Sequence, residues 1–204
     1  MVNIGQLSLV IPAAGASSRA GTDGPKCIEG GTLDKIIEGL GDLALDIVVV
    51  IREEHLNHFD YLLDNEKITL AIQRGEGSAA GVRSGFQACR CEYAILIWAD
   101  MITFSRLDVE RSLQRMNGYP FVAPLLPCRW PYTVYRLKGR LITSARTTHG
   151  GKASPSYGFR DVGLFICRTD LQLNDGEFVD QLKGGAWGMS ELDEVRDYNY
   201  PGDL

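Results

Sequence analysis

The chain has 204 residues, 45% of them hydrophobic and 23% charged, which fits one ordinary folded domain and excludes wholesale disorder. Its 21 Lys and Arg against 26 Asp and Glu leave a net charge of -5, whereas a general nucleic-acid binder carries a basic surplus. No apolar run reaches the ~20 residues of a membrane span, no basic stretch and apolar run follow Met1, and the five cysteines form no regular framework. The expectation is therefore a soluble, cytoplasmic protein with reduced thiols and with neither nucleic acid nor membrane as partner.

Leu7 to Ala14 (LSLVIPAA) is a continuous apolar run, the pattern of a strand covered on both faces, as in a parallel sheet. Thr32 is expected to cap a helix through Leu40, with Leu33, Ile36, Ile37 and Leu40 on one face and Gly41 at its end. Leu45 to Ile51 reads as a second buried strand, Glu53 to Leu63 as a helix, Lys67 to Gln73 as a third strand and Ser78 to Cys89 as a third helix. Tyr93 to Trp98 is a fourth strand ending in Ala99-Asp100, and Ser105 caps a helix through Met116.

After Tyr119 the texture changes. Pro120, Pro124, Pro127 and Pro131 punctuate short strands, and Tyr132 to Leu137 with Arg140 to Ser144 suggest a hairpin turning at Lys138-Gly139. A polar loop, Ala145 to Phe159, holds Gly150-Gly151-Lys152. Asp161 to Cys167 is read as a strand, followed by a weak helical region to Leu182 and a last strand from Glu194 to Tyr200. Four alternations of strand and helix before residue 120 predict right-handed crossovers. The fold class expected is α/β: a single open, mostly parallel (mixed) sheet with helices on both faces, in one domain spanning 1–204.

Ligands of such sheets bind beyond the carboxyl ends of the strands, and the unusual residues of this chain fall there. The first strand runs into Ala13-Ala14-Gly15-Ala16-Ser17-Ser18-Arg19, then Gly21, Gly24, Pro25 and Lys26. Small residues let backbone N–H groups approach an anion, and Arg19 and Lys26 add fixed positive charge. The spacing fits neither the Walker A loop nor the dinucleotide fingerprint, and a plain flexible turn would look the same. Gln73 to Ser78 (QRGEGS) follows the third strand, where an amide offering donor and acceptor suits the edge of a nucleobase; a glycine turn with a capping Ser78 is the simpler alternative. Asp100, ending the fourth strand, is the kind of hard oxygen donor Mg²⁺ takes beside phosphates, though a strand-end aspartate can also cap the next helix. Asn199 is a second oxygen donor. Lys152 stands in a glycine-rich loop where it could reach an acceptor phosphate. His55 and His58 are read as surface histidines, and Trp98, Trp130 and Trp187 as packing and pocket-wall residues.

The segment VIPAAGASSRAGTDGPK, Val10 to Lys26, resembles the signature loop of the NTP-dependent nucleotidyltransferases, the sugar-phosphate and MobA-like NTP transferases with a Rossmann-like fold. In that family a strand enters an A-A-G turn, an Arg follows the glycine by four residues, and a P-K pair comes next. Gln73 through Ala79 resembles the family's Q…G-[TS]-A segment. Ile97 to Met101 resembles its G-D-x-P strand end, with Ala99 for the glycine and Thr103 for the proline. Asp161-Val162-Gly163 is similar to the sugar-contacting N-T-G, and Asn199 to Leu204 (NYPGDL) to the closing N/D-T-P-E-D-L.

The resemblance implies an enzyme, with residues 1–118 as the NTP-binding half and 119–204 as the acceptor-binding half. Arg19 and Lys26 would be catalytic, binding the triphosphate. Ala13, Ala14 and Gly15 would contact base and ribose through the backbone, and Gln73, Gly77 and Ser78 would read the base. Asp100 and Asn199 would hold Mg²⁺, while Asp161 and Lys152 would face the acceptor. The implied reaction is Mg-dependent transfer of a nucleotidyl group from an NTP to a small phosphorylated acceptor, a sugar 1-phosphate foremost, with release of pyrophosphate. Two alternatives stay open: a cytidylyl- or guanylyltransferase with a non-sugar acceptor (choline phosphate, methylerythritol phosphate or a molybdopterin), and a non-catalytic nucleotide-binding module.

Overall fold

The opening apolar run becomes a strand only as far as its proline: β1 spans Leu7–Pro12, and the β-branched run after it gives β2, Asp46–Ile51. The computed structural model describes residues 5–15, 31–101, 104–116, 118–128, 132–137, 140–147, 158–161, 163–182 and 184–189, and gives only the backbone within 125–161 and 187–189. The remaining elements are α1 (Thr32–Leu40), β3 (Ile68–Ile72), α2 (Gly77–Ala88), β4 (Tyr93–Ile97), α3 (Arg106–Arg115), β5 (Phe121–Cys128), β6 (Tyr132–Leu137), β7 (Arg140–Thr147), β8 (Gly158–Asp161), β9 (Leu164–Arg168), α4 (Phe178–Gln181) and β10 (Ala186–Met189).

The main sheet has the order β10-β5-β9-β4-β1-β2-β3, with β8 added on β5. β1 pairs in parallel with β2 and β4, β2 with β3, and β5 with β10. β9 runs antiparallel between β4 and β5, and β8 is antiparallel to β5. The sheet is thus open and mixed, as expected, and its two faces carry separate cores. Leu9, Ile11, Ile47, Val49, Ile95 and Ile166 face α1 and α3, which contribute Leu33, Ile36, Leu40, Val109 and Leu113. The alternate residues Val10, Val48, Leu96 and Phe165 face α2 and α4, with Val82, Phe86 and Phe178. This period-2 division puts helices on both faces. Burying each of these large side chains is worth about 1.5–3 kcal/mol.

Close packing on the second face has a local cause. A Cβ on Gly85 would lie 2.5 Å from Val10 Cγ1 and 3.0 Å from Val50 Cγ2, so only glycine lets α2 settle this near the sheet. Ser105 caps α3 by accepting from the Asp108 N–H, as anticipated. Thr32 lies inside the first turn of α1 rather than capping it; Gly31 holds the cap position.

Several expectations are corrected. Residues 53–64 form two 3₁₀ runs, Glu53–His58 and Asp60–Asp64, not one helix, and the first of them buries no residue that could anchor a longer one. β5 continues through Pro124 and Pro127, because its partners change along its length: β9 at Phe121 and Val122, then β8 from Leu125 to Cys128. The loop expected from Ala145 to Phe159 is entered by β7 at one end and β8 at the other. The strand expected over 161–167 is broken at Gly163, whose φ of +73° ends one strand and starts the next. The weak helix before Leu182 is only the single turn of α4. The strand expected over 194–200 and the Lys138-Gly139 turn lie outside the described residues.

Candidate active site

Parallel strands bring their carboxyl ends to one edge of the sheet, and four exits meet there. β1 leaves through Ala13, Ala14 and Gly15, β2 through Arg52, β3 through Gln73 to Gly77, and β4 through Trp98 to Met101. Backbone bonds hold them side by side: Ala13 N–H donates to the Val50 carbonyl (2.7 Å), Gln73 N–H to Ile51 (2.8 Å) and Ala99 N–H to Pro12 (3.3 Å). Ala13 and Ala14 are buried and Gly15 is exposed, so the turn emerges into solvent at the glycine.

Asp100 sits half-buried in a turn closed by Met101 N–H donating to the Trp98 carbonyl at 3.0 Å. Two neighbours converge on that turn. Thr32 Oγ1 donates to the Ala99 carbonyl at 2.6 Å, drawing the start of α1 against the β4 exit. On the other side, a Cβ on Gly163 would lie 2.9 Å from Met101 Cγ and 3.3 Å from Trp98 Cδ1. Gly163 therefore abuts the residues flanking Asp100. The Asp161 backbone itself pairs with Leu125. Trp98 packs against both cores and meets Phe178 edge-to-face at 6.0 Å between ring centroids.

At the β3 exit, Gln73 Nε2 donates to the Gly75 carbonyl at 3.1 Å, and Arg74 N–H donates to Ser84 Oγ at 2.9 Å. Gly77 has φ +82° and opens α2. The Ser78 hydroxyl is engaged within the protein, donating to Glu177 Oε2 at 3.0 Å and accepting from the Phe178 N–H at 2.8 Å. The structure thus brings Ala13, Ala14, Gly15, Gln73, Gly77, Ser78 and Asp100 to the same edge of the sheet, with Gly163 against the residues flanking Asp100. Arg19, Lys26, Lys152 and Asn199 lie outside the described residues. Among the described residues no group of three His, Cys, Asp or Glu could hold a metal ion, and the His55 and His58 rings meet edge-on at 6.2 Å.

Two cations were not singled out from the sequence. Arg52 Nε donates to the Ala14 carbonyl at 2.9 Å, clamping the glycine turn from the β2 exit. A basic residue at the end of a buried strand was the available signal, by the same positional rule that marked the other three exits. Arg83 projects from α2 to the β3 exit, where its Nη2 donates to the Arg74 carbonyl (2.9 Å) and to Asp175 Oδ1 (2.7 Å). Its partner is 92 residues away, and no local pattern announces that pairing.

In class the protein is an α/β nucleotidyltransferase. The model of the MobA-like NTP transferase domain matches residues 9–155, and the chain belongs to that family. It is similar in structure to HddC from Yersinia pseudotuberculosis, at 16% identity and a TM-score of 0.69, covering 97% of this chain and 96% of that one. The same protein complexed with GMP-PN gives 14% identity and a TM-score of 0.68 over 97% and 96% of the two chains. A putative glucose-1-phosphate thymidylyltransferase from Bacillus anthracis, in complex with a sucrose, gives 15% and 0.70 over 95% and 90%. At these identities the likeness is one of fold. No curated protein gives a significant match to the sequence. Among the described residues no helix is long and apolar enough to cross a membrane.

Proposed function

We propose that the protein transfers a nucleotidyl group from an NTP to a phosphorylated acceptor, a sugar 1-phosphate, and releases pyrophosphate. The observation that carries this reading is the junction of the β1 and β4 exits: the glycine turn and the aspartate turn leave the sheet as neighbours, joined through Ala99 N–H and the Pro12 carbonyl at 3.3 Å. An anion cradled by the first turn then lies beside the carboxylate of the second.

The chemistry asks for little besides placement. An acceptor phosphate oxygen attacks the α-phosphorus, the bond from that phosphorus to the β-bridging oxygen breaks, and pyrophosphate departs with the electron pair. A phosphate monoester, with its second pKa near ~6, is already largely dianionic at neutral pH, so no general base is needed. The protein must hold two mutually repelling anions in line and offset the charge growing on the leaving group. Arg19 and Lys26 take the triphosphate. Ala13, Ala14 and Gly15 hold base and ribose through the backbone, while Gln73, Gly77 and Ser78 read the base. Asp161 and Lys152 face the acceptor. Asp100 and Asn199 are the oxygen donors for Mg²⁺, and Asp100 fits the part, being a partly buried carboxylate at a strand exit rather than on an open surface. When bound, the metal neutralises phosphate oxygens.

Removing one such charge-stabilising group costs on the order of 10²–10³ in rate. Lys26→Ala and Asp100→Ala are each expected to lose at least that much while unfolding at the wild-type temperature. Pyrophosphate release with four NTPs against a panel of sugar 1-phosphates, choline phosphate and methylerythritol phosphate measures this and names the acceptor. Near-normal turnover in either variant overturns the assignment.

A further inference from the structure

The β3 exit is built from residues that do not hold a shape by themselves. Gly75 has φ +102° and Gly77 φ +82°, and glycine populates such backbone at the expense of many alternatives in a free chain. What holds the exit comes from the far half of the chain, a strap of residues 173–177 between β9 and α4. Glu76 is gripped through both its backbone groups: its N–H donates to Asp175 Oδ2 at 3.1 Å and its carbonyl accepts from Gly176 N–H at 3.0 Å. Ala79 N–H donates to the Gly176 carbonyl at 2.9 Å. Arg83 ties strap to exit, donating through Nη1 to the Leu173 carbonyl at 3.1 Å and through Nη2 to Asp175 Oδ1 and the Arg74 carbonyl.

The two glycines are what allow this contact. A Cβ on Gly75 would stand 2.6 Å from Asp175 Oδ1 and 2.8 Å from Arg83 Nη2, and one on Gly77 would collide with the Gly176 carbonyl. A chain of contacts then leads to Gln73. Asp175 fixes Arg83 and the Glu76 N–H, these fix the Gly75 peptide, and the Gly75 carbonyl accepts from Gln73 Nε2. The direction of the Gln73 amide is set from across the molecule.

We propose that Asp175, acting through Arg83, is a positioning residue for the nucleobase, and that the strap determines which base the enzyme prefers. This rests on reading Gln73 to Ser78 as the base-recognition segment. Asp175 is half exposed and Arg83 partly so, and an ion pair this open to solvent contributes little to global stability, so its loss leaves a folded protein in which selectivity can be read.

The test is calorimetric titration of the full chain with ATP, GTP, CTP and UTP, each with Mg²⁺. Asp175→Ala is expected to weaken the preferred NTP about tenfold and to shrink its margin over the next base by a similar factor. Arg83→Ala should do the same, the double variant should be no worse than either single one, and Asp175→Asn should recover part of the loss. An Asp175→Ala protein with wild-type base preference overturns the proposal, whatever its melting temperature. Gln73→Ala separates the two readings. If it loses preference and Asp175→Ala does not, the strap idea falls and base reading by Gln73 stands. If Asp175→Ala loses preference and Gln73→Ala does not, the strap stands and the role of Gln73 falls. If neither changes, or if the wild type binds all four NTPs alike, both fall.

Discussion

Asp46 is 1% exposed at the start of β2, at the end of the sheet opposite the strand exits. It accepts from Ser8 Oγ at 2.7 Å and from the Arg90 N–H at 3.3 Å, while Ser8 Oγ in turn accepts from the Cys91 N–H at 3.2 Å. Asp46→Ala leaves a buried hydroxyl and an amide without their acceptor, a cost of about 1–3 kcal/mol. The expected outcome in urea denaturation is an unfolding free energy lower by that amount, with pyrophosphate release unchanged. Next to it, burial pushes the Cys89 thiol up to about 12, with Asp46 adding to the effect against a hydrogen bond to Ser8, so the thiolate is scarce at neutral pH. None of this network is legible from Ser8 and Asp46 separately. In the sequence Ser8 interrupts an apolar run and Asp46 opens another, and only strand pairing, Ser8 opposite Asp46, makes each the other's partner.

Elements with a full buried face were legible and those without one were not. Thr32–Leu40 forms a helix over the expected residues, because Leu33, Ile36 and Leu40 recur at helical spacing and all go to zero exposure. Glu53 to Leu63 has helix-forming residues but buries only Phe59 and Leu62, both toward its end, and short-range 3₁₀ bonding takes over. β10 escaped notice because its four residues, between Gly184-Gly185 and the undescribed end, are too few to show a period. The strand exits were legible by position, whereas the strap was not, since its bonds to Glu76 and Ser78 span about a hundred residues. The strap also has a pH signature. The Arg83 hydrogen bond, then that of the Glu76 N–H, holds the Asp175 carboxyl below its ordinary value. A carboxyl depressed in the folded state stabilises above the unfolded pKa of ~3.9, and the gain is lost as pH falls toward the folded value. The melting-temperature gap between wild type and Asp175→Asn should therefore be constant near neutrality and shrink as pH drops from 5 to 3.

At the scale of the whole molecule, the proposed NTP-binding half and acceptor-binding half share one sheet and both of its cores. β9 fills the gap between β4 and β5, with Ile95 opposite Ile166 and Phe121 opposite Cys167. Phe165 and Phe178, 5.3 Å apart edge-to-face, lie in the same cluster as Val10, Val48 and Phe86. A fragment of residues 1–118 leaves the β4 edge without its β9 partner and strips Phe165 and Phe178 from that cluster. It is expected to lack a cooperative thermal transition, as followed by near-ultraviolet circular dichroism, while the full chain melts in one step.

Gly118 adds a consequence to those shared cores. It has φ +81° in a turn between α3 and β5, and no described residue outside its chain neighbours lies within 4 Å of where its Cβ would stand. A cut at this joint leaves two polypeptides each carrying a sheet with a missing neighbour. Folding then becomes a bimolecular encounter, and the molecule turns into a complementation pair whose assembly depends on concentration, a scaffold on which the proximity of two fused partners could be reported.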